Sequence, residues 1–156
     1  MAIEDKIIIE EGSKAILKSI EHLIPVNDLT LIILKGHLIV EEEINELLDL
    51  ILPNPDALSK GRFEFYQKLC ILKAVCSPGL KWHWQTIEQL SKMRNQLAHN
   101  LESKGLNGMV KDFLNKVDSE IKKSKAWENG TDVDRLKLAI ASVHGRLVGM
   151  KCLRKK

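Results

Sequence analysis

Glycine and proline are scarce, nine and four in 156 residues, too few for a chain of many short strands and tight turns. Three cysteines, Cys70, Cys76 and Cys152, are odd in number and form no Cys-x-x-Cys pair. That argues against a disulfide framework and a zinc ribbon and fits a reducing cytosol. The purest apolar run, Leu29 to Leu34, falls far short of the ~20 residues of a membrane helix. Glu4 and Asp5 precede any apolar stretch, so no signal peptide is expected. There is no Gly-rich phosphate loop, no His-Glu-x-x-His and no Gly-x-Ser-x-Gly. The five histidines (His22, His37, His83, His99 and His144) pair with no cysteine at zinc spacing. These absences leave a cytoplasmic protein without a membrane span, for which no metal and no cofactor is expected.

What is present is globular: 44% hydrophobic and 29% charged residues. The net charge of +3 conceals an asymmetry. Residues 1–78 hold 8 Lys/Arg against 13 Asp/Glu, and residues 79–156 hold 16 against 8. The chain ends in Lys151-Cys152-Leu153-Arg154-Lys155-Lys156. A basic half suits phosphate, or the acidic half of a partner subunit; taken singly, these charges are better read as a solvated helical surface with a frayed basic tail.

The apolar periodicity is helical throughout. Ile9, Ile16, Leu17, Ile20 and Leu23 predict a first helix over 2–23, stopped by Pro25. Asn27 or Asp28 caps a second, reaching Leu52. It carries Ile33, His37, Val40, Ile44, Leu47 and Ile51 as a heptad-like seam that must meet another helix or another subunit. Glu41, Glu42, Glu43 and Glu46 on it read as a solvated face. Pro53 to Gly61 predicts a loop, Arg62–Val75 a third helix, and Ser77-Pro78-Gly79 a turn. Trp82–Leu101 and Leu106–Trp127 follow as helices, with a break at Asn129-Gly130. The last starts at Thr131, where Thr131 and Asp134 resemble a capping box, and fades near Gly149. The expected fold is a single all-α bundle of five to six helices over residues 1–150, with a basic C-terminal tail over 151–156.

One stretch combines chemistry-bearing residues: Leu90-Ser91-Lys92-Met93-Arg94-Asn95-Gln96-Leu97-Ala98-His99-Asn100. At about 100° per residue, Ile87, Leu90, Leu97, Ala98 and Leu101 define a buried stripe onto which Arg94 also projects. Asn95 and His99, four apart, share a face at its edge, within reach of the long Arg94 side chain. An arginine, an asparagine and a histidine at a helix end suit phosphodiester chemistry: the guanidinium neutralises phosphate, the imidazole moves a proton near neutral pH, and the amide orients. The spacing alone equally describes, and favours, a buried arginine tying two helices and a histidine capping a helix C-terminus.

Arg94-Asn95-Gln96-Leu97-Ala98-His99, an R-x(4)-H motif near the end of a long helix in a small all-α domain, resembles the HEPN superfamily. Leu34-Lys35-Gly36-His37 with Glu42, Glu43, Leu47 and Leu48, and the stretch Phe65 to Val75 before the motif helix, resemble its mannitol-operon-repressor-like branch, so the likeness spans roughly residues 28–115. The resemblance implies a helical bundle forming a homodimer, with the motifs of two protomers facing a shared cleft. It implies metal-independent RNA cleavage by 2′-hydroxyl attack, in a toxin, toxin–antitoxin or defence effector. Carried over, Arg94 binds the phosphate, His99 is the acid/base and Asn95 assists. RNA, and a protein antitoxin or regulatory partner, are the implied partners. The same branch contains catalytically silent transcription regulators and interaction modules, which is the alternative. Candidate RNA contacts are His37 in the cleft, Lys92 beside the motif, Trp84 as a base-stacking ring, and Lys122 and Lys123 along the backbone. The corresponding structural readings are a core histidine, packed tryptophans and solubilising charge.

Overall fold

The structure, a computed structural model, describes residues 3–76, 81–99, 105–121 and 124–154, and all regular structure among them is helical. The helices are α1 (Ile3–Leu23), α2 (Leu29–Ile51), α3 (Pro55–Lys60), α4 (Phe65–Val75), α5 (Lys81–His99), α6 (Leu106–Asp118), α7 (Lys125–Asn129) and α8 (Asp132–Arg154). The count exceeds the expected five to six for two local reasons. Pro55, at the first helical turn where its missing N–H costs nothing, starts the short α3 inside the expected loop. The helix expected over 106–127 divides in two, because the Ser124 hydroxyl accepts from the Trp127 amide and begins a new helix. Lys122 and Lys123 lie outside the described residues.

Helix ends follow their capping residues. Asp28 accepts from the Leu31 amide at 2.8 Å and starts α2. Gln67 reaches back to the Glu64 amide at 2.9 Å, so α4 begins at Phe65 rather than at Arg62. Thr131 and Asp134 form a reciprocal capping box ahead of α8, with amide-to-side-chain bonds of 3.0 and 3.2 Å. α8 continues past Gly149 to Arg154.

α2 lies at the centre, packed against α1, α3, α4, α5 and α8. Its seam residues Ile33, His37, Val40, Ile44 and Leu47 are all buried within this one chain. The seam therefore finds its partner helices intramolecularly, with Ile51 at its end half-buried. Around it, Leu69 and Leu72 of α4, Ile87, Leu90 and Met93 of α5, Phe113 of α6 and Ile140 of α8 close one core.

α1 packs chiefly on α8, and small residues rather than branched ones make that approach. Gly12, Ala15 and Ser19 face inward, whereas Ile9 and Leu17, two of the apolar residues whose spacing marks the helix, are exposed. A Cβ on Gly145 would lie 2.5 Å from Ile16 Cγ1 and 3.0 Å from the Gly12 carbonyl oxygen, so the two helices approach too closely there for a side chain. Next to this crossing runs a buried polar chain. Ser19 Oγ lies 2.6 Å from His144 Nδ1, and His144 Nε2 lies 3.3 Å from the Glu43 carboxylate. Lys151 Nζ closes it at 2.8 Å from Glu43 and 2.6 Å from Glu46. Glu43 is therefore not part of a solvated face, and Lys151 is a structural cation rather than part of a free tail. Burial works against the Glu43 carboxylate's charge, but the hydrogen bonds and charges of His144 and Lys151 outweigh it and hold the group below its ordinary range.

Gly145→Ala is expected to cost about 1–3 kcal/mol, the usual penalty of overpacking a close contact. Urea unfolding would show it as a lower midpoint at unchanged slope; an unchanged midpoint would mean that α1 and α8 adjust freely.

Candidate functional site

Polar ties hold α5 against its neighbours. Lys73 of α4 reaches Glu88 at 2.7 Å. Gln89 donates to the Met109 carbonyl of α6 at 3.1 Å while accepting from Lys116 at 2.7 Å. The apolar face beneath these ties comprises Ile87, Leu90 and Met93. Fully buried positions then stop. Beyond Met93, Gln96 and Leu97 are half-buried, and Arg94, Asn95, Ala98 and His99 are exposed. At 1.5 Å per residue the last six residues carry α5 about 9 Å past its buried segment.

This changes the expected position of two residues. Arg94 and Ala98 share the angular sector of the buried stripe, yet both are exposed, and at their turn of helix it is the half-buried Leu97 that meets the core. Arg94 is therefore not a buried tie between helices. Its NH1 group donates to Asn95 Oδ1 at 3.1 Å, and no carboxylate pairs with it among the described residues. That bond draws the guanidinium round the helix toward the Asn95 side. Lys92, Asn95 and His99, all exposed, follow i, i+3, i+7 spacing and form one polar stripe. His99 lies in the last turn, where a cation is favoured by the helix dipole.

His37 sits beneath this surface. Its residue is 4% exposed, its ring centroid is 4.4 Å from that of Phe65, and its Nδ1 is 3.6 Å from the Glu41 carboxylate. Its Nε2 is buried, with no hydrogen-bond partner among the described residues. Burial pushes the imidazole below its ordinary range, and the positive charge of Arg94 adds to that push while Glu41 opposes it. His37 is thus a core histidine that feels the motif arginine. Trp84 is 8% exposed, so its ring offers no open face on which to stack a base.

The site thus assembles Arg94 with Asn95, aligns Asn95 with Lys92 and His99, and leaves Trp84 inside. Sequence reasoning missed the Ser19–His144–Glu43–Lys151 chain. One signal was readable: Glu43 stands three residues after Val40 and four before Leu47, a spacing that places it on the buried side of α2. Although serine, histidine and carboxylate lie in line, Ser19 is 1% exposed, and this chain joins helices rather than meeting a substrate. Among the described residues, no group of three His, Cys, Asp or Glu is placed to hold a metal ion. None of their helices is long and apolar enough to cross a membrane. Comparison with family models, with curated proteins and with solved structures finds no match to this chain.

An exposed arginine whose side-chain partner among the described residues is the adjacent asparagine contributes little to folding. Arg94→Ala is expected to change unfolding free energy by no more than about 0.5 kcal/mol, the usual range for a surface substitution. Chemical denaturation checks this, and a loss several times larger would restore the guanidinium to a structural role.

Proposed function

We propose that this chain is a metal-independent endoribonuclease of the HEPN type, a toxin or defence effector acting in the cytoplasm as a homodimer. The observation that carries the reading is the exposed Arg94–Asn95 pair, free of any carboxylate among the described residues, on the same overhanging helix end as His99. A cation with no anionic partner among the described residues is ready for a phosphate. Arg94 neutralises the non-bridging oxygens of the scissile phosphodiester. His99 takes the proton of the adjacent 2′-hydroxyl, whose oxygen then attacks phosphorus. The bond to the 5′-oxygen breaks and the proton passes through His99 to that leaving oxygen, giving a 2′,3′-cyclic phosphate and a 5′-hydroxyl. Asn95 orients the guanidinium that it already holds, and Lys92 supplies a further phosphate contact along the stripe.

The homodimer rests on a surface different from the heptad seam. Leu31, Leu34 and Leu38 lie at i, i+3, i+7 on the outer side of α2 and are 43%, 36% and 57% exposed. A contiguous apolar stripe of this kind is suited to burial against another protein surface. It also fits an antitoxin or regulatory partner, which keeps a catalytically silent HEPN-fold regulator as the second reading.

The test is incubation of the purified protein with RNA in EDTA, comparing wild type with His99→Ala. Cleavage to cyclic-phosphate ends is expected from wild type, with a loss of roughly 100-fold or more in the variant, the scale of removing a general acid/base. A folded His99→Ala protein of full activity overturns the catalytic assignment. Wild-type protein that leaves RNA intact, but binds a partner in a manner lost in His99→Ala, supports the regulator.

A further inference from the structure

His83 occupies the first turn of α5, at the end opposite the motif, and is 1% exposed. Neither ring nitrogen has a hydrogen-bond partner among the described residues. The imidazole is wedged edge-on between two indoles, with centroids 5.6 Å from Trp82 and 5.5 Å from Trp84. From α8, the Arg146 guanidinium lies 4.9 Å over the Trp82 ring and covers that side of the turn. An apolar side chain would fill this space without leaving two polar atoms unsatisfied, a loss that native cores seldom tolerate. The arrangement is stable only while the ring is neutral, because an imidazolium there would have no acceptor and would sit near a fixed cation.

We propose that His83 is an acid-operated latch: on protonation the ring leaves its slot between Trp82 and Trp84, and the first turn of α5 opens from α8.

The electrostatics support this direction. Burial pushes the His83 imidazole down to about 4, and Arg146 adds to the shift. Of the charged groups on the helices packed around α5, Arg146 is the one whose charge bears on it. In the opened state the ring returns to the ordinary value of about 6.5, so the open state binds more protons. The closed turn is therefore at full strength above pH ~6.5 and weakens as the pH falls toward ~4. The opening equilibrium shifts about tenfold per pH unit, and by roughly 300-fold across the interval. The inference does not depend on the RNase reading, since it concerns the other end of the helix.

Three measurements test it. The imidazole titration of His83 in the intact protein, followed by NMR, is expected well below the ordinary histidine range; a midpoint near 6.5 overturns the proposal. Amide exchange at the start of α5, corrected for intrinsic rate, is expected to lose protection steeply between pH 6.5 and 4, while the buried middle of α8 does not. Tryptophan fluorescence should report the same reversible step. His83→Phe and His83→Leu should each abolish the local loss of protection. The same pH response in either folded variant, or a flat response in wild type, rules the latch out.

Discussion

Everything in this fold is arranged around the burial of α2. A helix packed by five others keeps only a narrow solvated face, and the positions turned toward its neighbours must be apolar, small or neutralised. Ile33, Val40, Ile44 and Leu47 meet the first requirement and Gly36 the second, where an added Cβ would lie 2.6 Å from Ile140. Glu43 meets the third. A buried carboxylate is tolerated only when its charge is matched and its oxygens are bonded. Matching it recruits His144 and Lys151 from α8 and, through His144, Ser19 from α1. One acidic residue on the central helix thus fixes the register of the two longest elements around it, and the Gly12–Gly145 crossing fixes how closely they approach.

The same centre explains why the candidate site is open. α5 packs on α2, α4, α6 and α8, and its fully buried positions end at Met93, yet the helix continues to His99 with Leu97 half-buried against the core. The residues that hold the helix and those proposed to act on RNA are therefore separated along one element: Ile87, Leu90 and Met93 are buried, and Arg94, Asn95 and His99 are displayed. Such separation leaves the displayed residues free to be chosen for chemistry alone. His37 connects the two regions, since it belongs to the α2 core and still lies within the electrostatic reach of Arg94.

Much of this was legible in the residue order. The apolar spacing marked the long helices, Pro25 and Asn129-Gly130 their breaks, and Asp28 and Thr131-x-x-Asp134 their starts, because each of these signals is local. Burial of the His37 seam was also legible as a requirement for a partner. Three features depended on information that no helical wheel contains. The wheel places Arg94 and Ala98 on the inner sector correctly, but the length of the opposing core decides whether that sector is covered. Ile9 and Leu17 carry more apolar surface than Gly12 and Ser19, but the close crossing with α8 selects the small side. Lys151 looked like one charge of a basic tail, and only the distant position of Glu43 makes it a structural ion pair. Helices α3 and α7, one starting at proline and the other recapped by serine, lay within segments whose composition reads as a loop or as a continuous helix.

The central claim is that nucleic acid meets this protein at the overhanging end of α5. Backbone amide shifts measured by NMR on adding an RNA oligonucleotide blocked against cleavage by 2′-deoxy substitution test it most directly. The expected result is perturbation concentrated on Lys92–His99 and abolished by Arg94→Ala, with α5 still folded. Perturbation centred on α6 to α8 with Lys92–His99 unmoved, or no perturbation anywhere, would contradict the account.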